Sequence, residues 1–215
     1  MTSSTSVRGV LFDFGGVLTT SVLAGFSRFG EDLGGDRGLV LRLLSQDPAA
    51  SRALVDHEEG RLDDEGFEEA LAAALCDAGI AVGPAGLLAR MQGYLGRDEA
   101  MVALVAEVRA HGVKVGLISN SLGRDCYAGY DLDDMFDAQV ISRVEGVRKP
   151  SRRLYEIACQ RLGLAPHEVA FVDDLRQNVE AATRLGMRGI LHREASATRT
   201  ALVDVLGLAP AAQVL

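Results

Sequence analysis

Hydrophobic and polar positions follow two different patterns along this chain. Short apolar runs that end in polar or acidic side chains occur at 7–12, 113–119, 138–142, 169–172 and 187–191. Apolar runs of this length, bounded by turn residues, predict buried β-strands. Strands that alternate with helical segments are typical of a parallel sheet with helices on both faces. We therefore predict an α/β fold whose core is a doubly wound, Rossmann-like parallel sheet.

The segment between the first two predicted strands has only helical periodicity. Apolar residues recur there at helical spacing, and Gly, Asp and Pro divide the helices at roughly 21–33, 36–46, 49–57, 64–78 and 84–95. The pattern predicts an all-helical domain over 20–96. This domain is inserted into an α/β core formed by 1–19 and 97–215.

The rest of the chain supplies the helices of the core. The predicted helices lie at 98–111, 122–129, 151–162, 176–186 and 195–206. Ser151 is the expected N-cap of the third of these helices, and Gly163 its stop.

Polar residues with catalytic potential stand where the predicted strands end. In doubly wound sheets, ligands bind beyond the carboxyl ends of the strands. Such positions are held by Asp13, Ser119, Lys149, Asp173 and Asp174. An aspartate can attack phosphorus, carboxylates suit Mg²⁺, and Lys and Ser can hold the transferring oxygens. The set therefore indicates phosphoryl transfer.

Four short motifs carry a resemblance to a known family. The segments 12–19 (FDFGGVLT), 117–120 (LISN), 146–150 (GVRKP) and 171–174 (FVDD) resemble, in order, the four motifs of the haloacid dehalogenase (HAD) superfamily. The helical block at 20–96 agrees in position with the family's inserted cap domain. The chain resembles capped phosphatase-like members, such as sugar-phosphate phosphatases and the N-terminal phosphatase domains of epoxide hydrolases.

The resemblance implies a Mg²⁺ site. Asp13 is the implied nucleophile and a metal ligand, and Gly15 the implied ligand through its backbone carbonyl. Asp174 is the expected direct ligand, with Asp173 acting directly or through water. Asn178, in the helix that follows, is expected to orient the metal shell.

The resemblance also implies which residues hold the phosphoryl group of a small phosphorylated metabolite. Lys149 is expected to neutralise charge on the nucleophile and the phosphate, and Ser119 to bind the phosphoryl group. The other implied phosphate-binding residues are Asn120, Gly15 and Gly16.

One position departs from the family's pattern. In most phosphatases of the family, a second Asp two residues after the nucleophile transfers protons as general acid and base. Gly15 occupies this position here and has no side chain to do so. Three alternatives follow from this departure. The enzyme acts on substrates with activated leaving groups, such as sugar 1-phosphates or acyl phosphates, or it takes its acid from the cap. In the third alternative, the protein is a weak relative of the active enzymes. The cap candidates are His57 and Glu58.

Other charged side chains have less definite assignments. Arginines at four cap positions are candidates for contact with an anionic substrate: Arg28, Arg37, Arg42 and Arg90. The remaining histidines are expected on the surface: His111, His167 and His192.

Composition narrows the partners and the compartment. A formal net charge of −8 argues against binding to nucleic acid or to an anionic membrane surface. Three scattered cysteines without CxxC spacing indicate free thiols in a reducing compartment. The first residues lack the apolar core of a signal peptide, and no apolar run is long enough to span a bilayer. We expect a cytoplasmic protein; the oligomeric state is not encoded in any pattern we recognise.

These residues are compatible with three functions. The leading hypothesis is a Mg²⁺-dependent phosphatase. The second is a metal-independent 2-haloacid dehalogenase, which is compatible with Gly15 but gives Asp173 and Asp174 no clear function. The third is a regulatory protein that binds a phosphorylated ligand with little or no turnover. A mutase is disfavoured, because it needs an acid–base residue at position 15.

Overall fold

The computed structural model describes residues 6–208, so the outermost ends of the predicted core domain lie outside the described residues. Five strands form one sheet in which every pairing is parallel. They are β1 (Gly9–Phe12), β2 (Lys114–Ser119), β3 (Ala138–Ile141), β4 (Val169–Asp173) and β5 (Arg188–Leu191).

The strand order brings the predicted site residues to the carboxyl ends of neighbouring strands. The order is β3-β2-β1-β4-β5, and Phe12 of β1 pairs in register with Leu117 of β2 and Val172 of β4. The chain first builds the β2 side of β1 and then crosses to the β4 side. The carboxyl ends of β1 and β4 therefore meet at a topological switch point, where ligands bind in such sheets.

Helices cover both faces of the sheet. Val10 and Phe12 face one hydrophobic cluster, while Leu11 between them faces the other. The first cluster includes residues of α6 (Glu99–Ala110) and α11 (Ala195–Leu206), and the second includes residues of α9 (Arg152–Leu162) and α10 (Arg176–Leu185). Alternate side chains of a strand point to opposite faces, which explains this division. The predicted doubly wound α/β fold is confirmed.

Five helices lie between β1 and α6. They are α1 (Val22–Asp32), α2 (Leu39–Gln46), α3 (Pro48–Glu58), α4 (Asp64–Asp77) and α5 (Leu87–Gln92). Their inward faces form a third hydrophobic cluster, separate from the two that cover the sheet. No helix within residues 6–208 is both long and apolar enough to cross a membrane.

Some local predictions were wrong. The helix expected over 122–129 is only a 3₁₀ turn, Asp125–Tyr127, whereas α7 (Leu132–Met135) and α8 (Ser142–Glu145) were not predicted. Single-turn helices are too short for hydrophobic periodicity to reveal them. Ser151 precedes α9, but its side chain makes no capping hydrogen bond.

His192 is also a correction, because it is buried instead of lying on the surface. Its Nδ1 lies 2.8 Å from Oγ1 of Thr198, where the end of β5 faces α11. His111 and His167 are exposed, as predicted.

Candidate active site

A buried lysine links two of the strand-end carboxylates. Lys149 Nζ lies 2.6 Å from Asp13 Oδ1 and 2.7 Å from Asp173 Oδ2, and the lysine is only 1% exposed. The Asn120 side chain holds the lysine backbone: its Oδ1 accepts from the Lys149 amide at 2.8 Å, and its Nδ2 donates to the Lys149 carbonyl at 3.2 Å. Asn120 therefore positions the lysine, with its side-chain atoms already engaged.

The two residues of the acidic pair have different surroundings. Asp173 is fully buried, and besides Lys149 it accepts hydrogen bonds from the Leu175 amide at 2.8 Å and from Asn178 Nδ2 at 3.1 Å. Its oxygens are thus held by fixed donors. Asp174 and Asp13 both line a cavity beyond the carboxyl ends of the strands. Its carboxylate accepts no side-chain hydrogen bond within residues 6–208, which leaves it available to a ligand.

The cluster carries excess negative charge. Asp13, Asp173 and Asp174 each offer an oxygen within 4.8 Å of the others'. Three carboxylates against one ammonium leave two negative charges. Burial raises the pKa of Asp13 well above its usual range, against the opposing effect of Lys149. Burial and the charge of Asp173 raise the pKa of Asp174 to about 6. Burial alone would lower the pKa of Lys149, but the two carboxylates raise it. A divalent cation that prefers carboxylate oxygens fits this donor set.

The turn after β1 leaves room for Asp174. Gly16 has φ +77°, and a Cβ at this position would lie 2.5 Å from Asp174 Oδ2. The Gly16 amide donates to Thr19 Oγ1 at 2.9 Å, and that hydroxyl donates to the Thr20 carbonyl at 2.9 Å. Sequence reasoning gave Thr19 no role. Its place at the end of the first motif, after a glycine pair, was the available signal.

We expect Gly16→Ala to weaken Mg²⁺ binding by about tenfold or more, because the added Cβ displaces the Asp174 carboxylate. Because alanine is strained in the left-handed backbone conformation of Gly16, the substitution should also lower the free energy of unfolding by about 1–2 kcal/mol. Gly34→Ala is the matched control, since Gly34 has φ +88° and no neighbour within 4 Å of the built Cβ. Urea unfolding and Mg²⁺ titration separate the effects: an equal loss of Mg²⁺ affinity in both variants would contradict the steric argument.

A cavity of about 610 Å³ opens beyond the strand ends, between them and the helices that follow β1. Asp13, Gly15, Asn120, Lys149 and Asp174 all contribute to its lining. The structure thus brings most of the predicted site residues to one cavity. Gly16 is not in the lining, but it lies next to Asp174 in the turn after β1.

Ser119, like Asp173 and Gly16, is a motif residue outside the cavity lining. It ends β2 and is 1% exposed. Its hydroxyl donates to the Asn120 carbonyl at 3.3 Å and accepts from Tyr127 at 2.9 Å. Direct phosphate binding by Ser119 therefore needs its hydroxyl to turn away from these partners.

The two cap candidates for proton transfer have different positions. Glu58, at the end of α3, lines the cavity, and its Oε2 lies 2.6 Å from Arg148 Nε. Burial raises the pKa of Glu58 to about 7, against the lowering effect of Arg148. His57 is not in the lining: it stacks on Phe67 with ring centroids 4.6 Å apart, and its Nε2 lies 3.0 Å from Asp64 Oδ1. Burial lowers the pKa of His57.

The cap arginines proposed for substrate contact do not line the cavity. Arg37 and Arg42 pair with acidic neighbours on the surface, Arg90 lies over the Phe29 ring, and Arg28 is exposed. The arginines in the lining are instead Arg97 and Arg148. Sequence reasoning passed over both, although Arg148 directly precedes the motif lysine.

Fold and site together define a class: a hydrolase built on a Rossmann-like α/β core, with a carboxylate–lysine cluster at the switch point of its sheet. A family model described as haloacid dehalogenase-like hydrolase matches residues 7–186, well over half of the chain. The chain therefore belongs to the haloacid dehalogenase-like hydrolase family.

Curated relatives include phosphatases. Sesquiterpene phosphatase astK of Aspergillus oryzae is 32% identical over 118 residues, covering 54% of this chain and 60% of that protein. Acyl-CoA dehydrogenase family member 10 of Mus musculus is 27% identical over 205 residues, covering 86% of this chain and 18% of that protein. The chain thus spans less than two thirds of the length of either relative.

Solved structures share the fold. One is the HAD family enzyme BT-2542 of Bacteroides thetaiotaomicron in complex with magnesium and inorganic phosphate; its TM-score is 0.61 at 19% identity, over 87% of this chain and 95% of that one. Another is L-2-haloacid dehalogenase of Xanthobacter autotrophicus, with a TM-score of 0.63 at 24% identity, over 95% of this chain and 85% of that one. At these identities the likeness establishes the fold alone.

Proposed function

We propose that the protein is a Mg²⁺-dependent phosphatase that hydrolyses a small phosphorylated metabolite through an aspartyl-phosphate intermediate at Asp13. The observation that carries this proposal is the convergence of Asp13, Asp174 and the buried Lys149 on one cavity. In this proposal, residues 20–96 form a cap over the core formed by 1–19 and 97–215.

The acidic cluster favours this function over a metal-independent dehalogenase, because its excess negative charge calls for a cation. Asp13, Asp174 and the Gly15 carbonyl would hold Mg²⁺, and Asp173, whose oxygens already accept from fixed donors, would act through water. When bound, the ion stabilises negative charge on the phosphoryl oxygens. Lys149 adds a fixed positive charge beside the nucleophile.

The surroundings of Asp13 indicate which of its oxygens attacks. Oδ1 accepts from Lys149 Nζ and from the Phe14 amide, each at 2.6 Å. Oδ2 is therefore the oxygen available for attack on phosphorus. As the Oδ2–P bond forms, the ester P–O bond breaks and the leaving oxygen needs a proton. Water then attacks phosphorus, the Oδ2–P bond breaks, and inorganic phosphate leaves with Asp13 restored.

We assign the proton transfers to Glu58, in place of the side chain that Gly15 lacks. Glu58 lines the same cavity as Asp13, and Arg148 holds one of its oxygens. A pKa of about 7 lets it protonate the leaving oxygen and then accept a proton from the attacking water near neutral pH.

The direct test is phosphate release from a panel of phosphomonoesters, with and without Mg²⁺. We expect release with Mg²⁺ and little release in EDTA. Absence of release from every member, p-nitrophenyl phosphate included, would refute the proposal. Mg²⁺-independent chloride release from 2-haloacids would favour the dehalogenase.

Mg²⁺ should also stabilise the fold. At 100 times its Kd, one bound ion adds about 2.7 kcal/mol, or roughly 5–10 °C in Tm for a protein of this size. Asp174→Asn should remove most of this gain, whereas Asp77→Asn, on the exposed end of α4, should keep it. Thermal unfolding with and without Mg²⁺ measures both. An undiminished gain in Asp174→Asn would exclude this aspartate as a ligand.

A further inference from the structure

Away from its carboxylates, the cavity is walled by hydrocarbon. The side chains of α1, α3 and the segments after α5 and β2 that face it are Val22, Leu23, Phe26, Leu54, Leu95 and Leu122. They line the same cavity as the nucleophile, and the organic part of a substrate must lie in this cavity once its phosphoryl group reaches Asp13.

Most polar side chains in the lining already have partners in the protein. Gln92, Arg97 and Tyr130 donate to backbone carbonyls at 2.5, 2.8 and 2.9 Å, respectively. Asp125 and Gln177 make no side-chain hydrogen bond within residues 6–208, but both are exposed at the rim. A polyhydroxylated substrate would therefore bury hydroxyl groups against a wall with few free partners, which is unfavourable.

Exposed apolar side chains also stand at the mouth of the cavity. Among the described residues, three large hydrophobic side chains are exposed: Leu23 at 51%, Leu175 at 38% and Val144 at 73%. Leu23 and Leu175 line this cavity, on the cap and core sides, respectively. Exposed apolar side chains that gather at a binding cavity mark a surface that an apolar ligand covers.

We propose that the substrate is the phosphate monoester of an apolar alcohol, whose hydrocarbon chain lies along the wall formed by α1, α3 and Leu122. This inference rests on the proposed phosphatase function. It replaces the sugar phosphates that Gly15 suggested with a hydrophobic organophosphate. Cavities of this volume hold ligands of drug-like size, so a chain of several carbons fits.

A series of n-alkyl phosphates from methyl to octyl tests the proposal, with glucose 6-phosphate as the polar comparison. All are phosphates of primary alcohols, so the leaving group changes little while the apolar contact grows. We expect kcat/KM to rise about threefold to fourfold per buried methylene, as expected for transfer of one methylene from water. Octyl phosphate should exceed glucose 6-phosphate by at least about a hundredfold. A flat series, or a preference for glucose 6-phosphate, would overturn the proposal.

Paired variants locate the effect. Leu23→Gln combined with Leu175→Gln should lower kcat/KM for octyl phosphate by about tenfold, the loss of one or two methylene contacts, and leave methyl phosphate within about twofold. Val144→Gln replaces an exposed apolar side chain by the same amide outside the cavity and should alter neither. Both leucines are exposed, so the fold should survive the substitution. Equal effects on the two substrates would place the hydrocarbon elsewhere and contradict the proposal.

Binding of non-hydrolysable phosphonates separates this inference from the proposed function. Octylphosphonate should bind at least about a hundredfold more tightly than methylphosphonate, with a more negative heat-capacity change in calorimetry. If this holds while no ester is hydrolysed, the apolar site stands and the phosphatase function fails. If ester hydrolysis is found but the two phosphonates bind equally, the function stands and the apolar site fails.

Discussion

Asp13→Asn should lower kcat by at least about 10⁴-fold on every phosphomonoester that the enzyme hydrolyses, because the carboxylate oxygen proposed to attack phosphorus is replaced by an amide. The fold should persist, since Lys149 keeps its 2.7 Å contact with Asp173. Steady-state phosphate release measures the loss. Acid-quenched mass spectrometry should detect one added phosphoryl group in the wild type and none in the variant.

Asp77→Asn is the control for this substitution. It makes the same chemical change on an exposed carboxylate at the end of α4, and activity should stay within about twofold. If Asp13→Asn kept wild-type turnover, or if the phosphoryl group were trapped on another residue, Asp13 would not be the nucleophile. The cluster around Lys149 would then serve only to position other groups.

Glu58→Gln should lower kcat/KM for alkyl phosphates by about 10²–10⁴-fold, the usual contribution of general acid–base catalysis. A p-nitrophenolate leaving group needs little protonation, so the loss on p-nitrophenyl phosphate should be less than about tenfold. Glu59→Gln, one residue further on and outside the cavity lining, should change neither rate by more than about threefold. Equal losses on the two substrates would mean that Glu58 only shapes the cavity.

The pH profile gives a second, independent readout of Glu58. In the proposed mechanism, ester cleavage needs the protonated carboxyl of Glu58. Burial raises the pKa of Glu58 to about 7, and the charged groups around it are Arg148, Lys149 and Glu59. The wild-type kcat/KM for an alkyl phosphate should therefore fall as pH rises above about 7. Glu58→Gln should lose this descending limb. The titration of the substrate is common to both enzymes and cancels in their ratio. A descending limb that persists in the variant belongs to another group.

The main parts of the fold were readable from local patterns. Apolar runs such as 169–172, ending in Asp173 and Asp174, predicted strands whose carboxyl ends carry the chemistry. A buried parallel strand must be apolar along its length, so its end is marked by the first charged residue. The other strands followed from similar short apolar runs, and the helical block followed from apolar residues at helical spacing. Single-turn helices such as α7 and α8 were not predicted, because four residues are too few to show a helical period.

Contacts between distant segments were not readable in this way. His57 and Glu58 are neighbours in sequence at the end of α3, yet Glu58 lines the cavity and His57 stacks on Phe67. Successive helical residues point about 100° apart, so the packing of α3 against the core decides which one reaches the site. Likewise, only the tertiary structure shows that Arg148 lines the cavity and that the four cap arginines do not.

By itself, the sequence determined the fold class, the order of the strand-end residues and the absence of a proton-transfer side chain at Gly15. These depend on residue identity and short-range periodicity, which the chain carries locally. The tertiary structure alone decided that Asp173 is saturated with donors while Asp174 faces the cavity. It also decided that Ser119 contacts Tyr127, and that apolar side chains line much of the cavity that contains Asp13. Those features arise where helices after β1 meet strand ends from elsewhere in the chain, and only packing brings such segments together.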